Sequence, residues 1–413
     1  MITRLTGTIQ SYAWGSRTVI PELLGVPPTG EPQAELWFGA HPLAPSLADG
    51  RPLNTLVAQD PEMMVGSASV AAFGPRLPYL VKIVAADQPL SLQAHPSREQ
   101  AEAGYEREQA AGVPRDAPNR TYRDGWPKPE VLCALQPTEA LYGFREPHES
   151  YALFEQLGVT AAVDLVADLD DGRLAITDRL SRVFGRLLRL AGGDRRIVDD
   201  VVEAATALAS SPAGTAPHGR AGARTAGTEF PAALRVFATT ATELSAYYPG
   251  DPGILAALLM NRITLQRFDA IFLPSRNLHA YLRGGGVEIM ANSDNVMRGG
   301  LTPKFVNVDE LLDVLDFTPG FPGLITPELE VPGIWHYPTP APEFALWRLD
   351  VADEPIELPG ADTGRILLVT DGSVACSDSV ELTLGRGECA FATATEKVTI
   401  TGSGTVFVGA PGI

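Results

Sequence analysis

The sequence predicts a mainly β protein with a helical domain inserted into it, and three observations predict this. Residues 1 to about 148 carry short apolar runs broken by Pro and Gly, as in LPYLVKIV, ADQP and LSLQAH, which are strand and turn signals. From Glu149 the apolar period becomes helical. Beyond about residue 254, strand-like runs return and continue toward the C-terminus.

Each element follows from its residues. In the stretch 149–254, Leu180, Val183, Phe184, Leu187 and Leu190 recur at helical spacing, as do Ile197, Val201, Ala205 and Leu208, so each set lies on one helix face. Within it, SSPAGTAPHGRAGARTAGT, about residues 210–228, lacks large apolar residues and is rich in Gly, Ala, Ser and Pro; a flexible loop is expected there, with His218 solvated. Strands resume with ITLQRFDAIFL, Ile263 to Leu273. From residue 321, ILLVTDGSV, VELTLGRGECAFA and VTITGSGTVFVG alternate between turn glycines, the pattern of an antiparallel sandwich or barrel.

Composition narrows the function classes. The 413 residues are 45% hydrophobic and 20% charged, an ordinary globular balance with ample core. A net charge of −18 argues against nonspecific nucleic-acid binding. The start, MITRLTGTIQ, has no apolar signal region, and no apolar run approaches the roughly 18 residues of a membrane span; a cytoplasmic protein is expected. Cys133, Cys376 and Cys389 lack CxxC spacing, so buried reduced thiols are expected and a disulfide framework is not.

The chemistry concentrates in two stretches. In LSLQAHP, Leu90 to Pro96, strand alternation turns Leu90, Leu92 and Ala94 toward an apolar layer and Ser91, Gln93 and His95 to the other side. The second stretch, LHAYLRGGGVEIMANSDNVMRGGLTPK, Leu278 to Lys304, holds His279, Tyr281, Glu288, Asp294, Arg298 and Lys304. Between them lies PKPEV, where Pro129 biases Lys128 toward an extended conformation, so Lys128 and Glu130 point the same way. Gln93, His95, Glu130 and His279 offer two imidazoles, a carboxylate and an amide oxygen, a set suited to a borderline divalent metal such as zinc. Three of these precede the helical stretch and His279 follows it. If they share one ion, the helices of 149–254 are an excursion from a single discontinuous β domain, 1–148 plus 255–320, with 321–413 as a second β domain. Gly284 to Gly286 read as a tight turn, and His41 in GAHP as a turn or core histidine.

The motifs YAWGS (Tyr12 to Ser16), AELWFGAHP (Ala34 to Pro42), LPYLVKIVAADQPLSLQAHP (Leu77 to Pro96), KPE (Lys128 to Glu130) and Leu278 to Lys304, in this order, resemble those of the type I phosphomannose isomerases. The resemblance implies two cupin-like β units, the first holding one zinc ion per chain, and interconversion of mannose 6-phosphate and fructose 6-phosphate. It also implies catalytic roles for Arg298, Lys128 and Asp294, and phosphate contacts for Ser91, Lys82 and Lys304. An enediol route needs a general base and positive charge near the developing oxyanion. For the base Glu288 is favoured, with Asp294 and Lys128 as alternatives; Tyr281 and Trp14 are placed at the substrate. The expected partner is a small sugar phosphate, with no nucleic acid or membrane, and the chain is expected to be a monomer. A metal-dependent cupin dioxygenase and a noncatalytic sugar-phosphate-binding cupin are the alternatives. Three departures stand out. Trp126-Pro127 replaces the Asn-His common before KPE, Arg267-Phe268 stands where Pro-Gly is usual, and Arg276 where Gly is usual.

Overall fold

The alternation that marks half-buried strands is absent from YLVKIVAA, and its surroundings explain why: all eight residues of strand Tyr79–Ala86 are buried. In this computed structural model, which describes residues 2–210, 230–321, 323–352, 354–378 and 381–413, that strand lies antiparallel between Glu35–Gly39 and His279–Ala291. Tyr79, Val81, Ile83 and Ala85 face a core shared with Leu368, Phe391 and Phe407 of the C-terminal sheet. Its other face carries Leu80 and Lys82 to a cavity. An apolar run bounded by two filled layers needs no polar side.

The first sheet runs in the order Met260–Leu265, Thr138–Phe144, His279–Ala291, Tyr79–Ala86, Glu35–Gly39, Thr8–Gln10. Strand Glu130–Ala134 pairs with both His279–Ala291 and Ala270–Leu273. The two-residue strand Gln93–Ala94 bridges His279 and Met297–Arg298. Its strands therefore come from both sides of the helical stretch, so the helices are an excursion from one sheet.

His279–Ala291 corrects one expectation. Gly284 to Gly286 form no tight turn; they lie inside a continuous 13-residue strand, where it leaves Thr138–Phe144 and enters the space between Tyr79–Ala86 and Glu130–Ala134. A Cβ on Gly285 would stand 2.5 Å from the Val84 carbonyl, and one on Gly286 2.3 Å from that of Cys133. Close backbone approach on both flanks is what the glycines permit.

The second sheet is antiparallel and collects most of its strands after residue 328. It also takes Ile2–Thr6, which pairs with Cys389–Ala392, and the short strands Leu47–Ala48 and Arg51–Pro52. A chain division placing all of 1–148 in the first β domain misses this exchange. Ile2 and Leu5 are buried in cores of the second sheet, and their strand covers an edge that would otherwise expose unpaired backbone groups.

Between Pro147 and Ala257 the described elements are helical. Ile176–Leu188 buries Leu180, Val183, Phe184 and Leu187, and Arg196–Ala209 buries Val201, Ala205 and Leu208, the faces expected from the spacing. The loop expected at 210–228, including His218, falls almost wholly outside the described residues. Leu92, Ala94, Leu278, Ala280 and Met297 belong to the same core as these helices, so the helical unit backs the segments that carry His95 and His279. Among the described residues no helix is long and apolar enough to cross a membrane. All three cysteines are buried and free.

Polar contacts also tie the two sheets within their shared core. The Tyr79 hydroxyl lies 2.9 Å from the Gly364 carbonyl and 2.7 Å from that of Gly409. Tyr79→Phe leaves buried acceptors without a donor at unchanged packing, and is expected to cost about 1–3 kcal/mol of stability, read from urea unfolding.

Candidate metal centre and active site

Glu130 opens strand Glu130–Ala134, and His279 opens His279–Ala291. The His95 Nε2 stands 3.4 Å from Glu130 Oε1, and the His279 Nε2 3.4 Å from Glu130 Oε2. One ligand atom from each of these three residues lies within 4.8 Å of the others. Both imidazoles are oriented from behind: His95 Nδ1 is 2.7 Å from the Asn295 carbonyl, and His279 Nδ1 is 3.2 Å from that of Asn277. A carbonyl can only accept, so each Nδ1 carries the proton and each Nε2 presents a lone pair. Two lone pairs and a carboxylate thus converge, and His95 Nε2 is buried with no hydrogen-bond partner. Burial and nearby Lys128 push the His95 imidazole down to about 4, so a proton does not relieve the crowding near neutrality. A cation does.

Gln93 joins this group by register. It stands directly opposite His279 on one side and Arg298 on the other, and directly paired residues share a sheet face. The alternation expected for Leu90 to His95 shows in burial as far as Ala94, with Leu90, Leu92 and Ala94 buried and Ser91 and Gln93 half-buried, whereas His95 is itself fully buried; Leu90 joins a separate small core with Tyr281 while Leu92 and Ala94 pack on the helices.

Above this centre opens a cavity of about 700 Å³, whose lining includes Gln93, Lys82, Lys128, Ser91, Trp14, Asp294, Arg298 and Lys304. These sequence-derived candidates meet in one place but in different settings. Lys128 Nζ is 2.8 Å from Glu130 Oε1; burial would raise the Glu130 carboxyl, yet Lys128 and His95 hold it well below the usual range. Lys82 lies 3.2 Å from Glu288 and 3.7 Å from Glu35. Burial alone would lower the Lys82 ammonium, but the two carboxylates lift it above its ordinary value, so Lys82 is already neutralised.

Glu288 is 3% exposed and takes a 2.8 Å hydrogen bond from the Tyr281 hydroxyl. Burial lifts its carboxyl against the pull of Lys82. It anchors Lys82 and Tyr281 below the cavity wall, whereas Asp294 and Lys128 are on that wall.

Arg298 and Lys304 meet a third cation, Arg123, which sequence reasoning passed over. Burial first, then Arg123, depresses the Arg298 guanidinium, and burial, Arg298 and Arg123 together depress Lys304. Among the described residues no carboxylate pairs with any of the three. Three clustered cations lining a cavity of a strongly acidic chain make an anion site.

Two other contributors were missed. Glu35 could have been noticed as the one acid alternating with Trp37 in ELWFG; Trp37 is the register partner of Lys82 and donates to Glu35 at 2.7 Å. His41 was read as a turn or core histidine; it is 2% exposed, yet it lines the cavity and lies 3.2 Å from Asp294 Oδ1.

Residues 2–147 match the model of the phosphomannose isomerase type I catalytic domain. The chain is 35% identical to the mannose-6-phosphate isomerase of Salmonella typhimurium and 33% identical to that of Escherichia coli, in each case over 97% of both chains. A crystal structure of the Salmonella typhimurium mannose 6-phosphate isomerase bound to substrate, f6p, and zinc superposes with a TM-score of 0.85 at 32% identity, covering 100% of both chains. The chain belongs to the type I phosphomannose isomerase family.

Against that family background the three departures find physical settings. Trp126 is stacked under Arg98 at 3.8 Å and Arg76 at 4.5 Å beside a second, smaller cavity, and Pro127 is buried. Phe268 and Arg276 each adopt φ of 73°, the left-handed region that costs an L residue roughly 1–2 kcal/mol. At Arg276 compensation is visible: its amide donates to the His95 carbonyl at 2.6 Å, and its Nε to the Val314 carbonyl at 3.0 Å. The strained residue ties a metal-ligand segment to the end of helix Val308–Val314.

The donor set fits zinc: borderline nitrogen and oxygen ligands, with both imidazoles held from behind. His279→Ala is expected to lose zinc and activity together, with metal content by atomic absorption falling to a small fraction of one per chain; full zinc content in that variant contradicts the ligand assignment.

Proposed function

We propose that this chain is a zinc-dependent isomerase that interconverts mannose 6-phosphate and fructose 6-phosphate through an enediol. One observation carries the reading: His279, Gln93 and Arg298 are successive cross-strand partners, which sets the metal end and the cationic end of one sheet face about 10 Å apart, two strand spacings. A six-carbon chain with a phosphate on its last carbon fits such a pair of ends, its reacting carbons at the metal and its phosphate among Arg298, Lys304 and Arg123.

In this reading Gln93, His95, Glu130 and His279 hold the zinc. Bound there, the ion supplies Lewis-acid polarisation of the sugar oxygens. Because Gln93 is neutral, Glu130 is the one anionic ligand and the centre keeps net positive charge. Lys128, fixed on Glu130, adds a cation at the cavity floor where enediolate charge develops. Glu35 and Asp294 are the carboxylates lining the cavity; Glu35 is engaged by Trp37 and Lys82, so we assign the base role to Asp294, while Glu288 holds Lys82 and Tyr281 in place. Trp14 and Ser91 form part of the wall that shields the enediol from water. We assign the chain a monomeric functional unit. We assign the enzyme to the cytoplasm, a reducing compartment consistent with free Cys133, Cys376 and Cys389.

Turnover of mannose 6-phosphate, read by coupling fructose 6-phosphate formation to a dehydrogenase, is expected to vanish on chelation and return with zinc. Oxygen uptake, or tight binding without turnover, would each replace this reading by another. Arg123→Ala is expected to raise KM for mannose 6-phosphate about tenfold or more, the loss of a charge-assisted contact, with zinc content unchanged; an unaltered KM would place the phosphate elsewhere.

A further inference from the structure

The His41–Asp294 pair forms a wall between two cavities. Both residues line the large cavity above the metal centre and the smaller one, of about 250 Å³, that lies beside Trp126. His41 follows strand Glu35–Gly39 and starts a turn, its carbonyl accepting from the Ala44 amide at 3.2 Å. Within that turn the Leu43 amide donates to His41 Nδ1 at 3.3 Å. An amide N–H can only donate, so Nδ1 is unprotonated and the neutral ring carries its proton on Nε2. That nitrogen is the one 3.2 Å from Asp294 Oδ1. Trp37 packs edge-on against the ring at a centroid distance of 4.8 Å, so the imidazole has little freedom to turn away.

Asp294 is held equally firmly from its own side. Its amide donates to Asp124 at 2.8 Å, and the neighbouring Ser293 hydroxyl and Asn295 side chain also bond Asp124. The Asn295 carbonyl is the group that orients His95. One short loop, 293–295, therefore fixes the tautomer of a metal ligand and presents a carboxylate to the cavity.

We propose that His41 is a positioning residue for catalysis: locked by the Leu43 amide as the Nε2–H tautomer, it donates to Asp294 and holds that carboxylate ionised and aimed across the cavity. This deepens the reading given under Proposed function and rests on it. In the step so served, a carboxylate oxygen of Asp294 accepts the proton from the substrate carbon beside the carbonyl, and the C–H electron pair becomes the enediol double bond. The carbonyl π pair moves to oxygen. The proton of the neighbouring hydroxyl passes to that oxygen as the new carbonyl forms, and return of the abstracted proton to the adjacent carbon completes the exchange, with no change in oxidation state overall and no co-reactant.

The charged and titratable groups facing Asp294 are His41, Arg115 at 3.6 Å, Lys128, Tyr12 and Asp124. Burial acts to raise its carboxyl, and the His41 contact, Arg115 and Lys128 outweigh that and hold it below the usual aspartate range. The sign follows. Removing the donor raises the carboxyl, and since the ionised form is the base, the acid limb of kcat/KM moves to higher pH.

The test uses the zinc-loaded full chain. His41→Phe is expected to move the acid limb upward by about one pH unit and to lower kcat more than it raises KM, with zinc content unchanged. His41→Gln, which keeps an N–H donor, is expected to retain the wild-type acid limb, and Asp294→Asn to lose about 10²-fold or more in kcat. A wild-type acid limb in zinc-replete His41→Phe overturns the proposal. Should that variant not fold, ¹⁵N NMR of the wild-type His41 ring decides: protonation at Nε2 supports the lock, and protonation at Nδ1 overturns it. A wild-type chain that does not turn over mannose 6-phosphate would instead overturn the functional reading and leave the tautomer result standing.

Discussion

The site depends on one electrostatic conflict that the fold builds and does not itself resolve. Backbone carbonyls of Asn295 and Asn277 claim the Nδ1 protons of His95 and His279, and the freed Nε2 lone pairs then face a carboxylate that Lys128 keeps ionised. Three acceptors gathered in a buried space are unfavourable without a positive charge among them. The surrounding packing makes this arrangement hard to relax, because the opposite faces of the same segments, Leu92, Ala94, Leu278 and Ala280, are locked into the helical core. Metal affinity here is therefore in part a property of the helical unit, whose described residues supply no imidazole or carboxylate to the cluster.

That arrangement explains why the cluster of His95, Glu130 and His279 was legible in the sequence. A strand's two-residue period places its polar members on one side whatever its partners are, and LSLQAH and LHAY each carry an apolar face and a ligand face. The discontinuous sheet was legible for a related reason: ligands lying on both sides of a helical-period stretch can share one ion only if that stretch leaves and returns. The helical faces around Leu180 to Leu187 and Val201 to Leu208 followed from spacing alone.

What escaped the sequence was information carried by pairing and by packing across long separations. Nothing in MITRL indicates that it completes the sheet of Cys389–Ala392, since a strand's partner is set by which edge is left open once the rest has assembled. Gly284 to Gly286 looked like a turn because local sequence does not reveal that two neighbouring backbones press on a strand from either side. Arg123 lies in an irregular segment and gains meaning only from Arg298 and Lys304 across the cavity. His41 was read as a turn or core histidine, and it is buried at the start of a turn; what local sequence did not show is that the ring's other nitrogen reaches Asp294.

The electrostatics of the molecule bring these points together. A chain with net charge −18 repels an anionic substrate at long range, so attraction has to be local and protected from neutralisation. Lys82 illustrates the failure of a cation for that purpose: held between Glu35 and Glu288, it has no charge to spare for a phosphate, and its role is to let two buried acids coexist beneath the cavity. Arg298, Lys304 and Arg123 are arranged the other way, with no described carboxylate among them, and burial followed by their mutual repulsion depresses two of the three. An arriving phosphate relieves that repulsion, as an arriving metal relieves the acceptors two strand spacings away. The cavity is thus bounded by two opposite electrostatic deficits, and a ligand with an oxygen-rich end for the metal and an anionic end for the cations answers both at once.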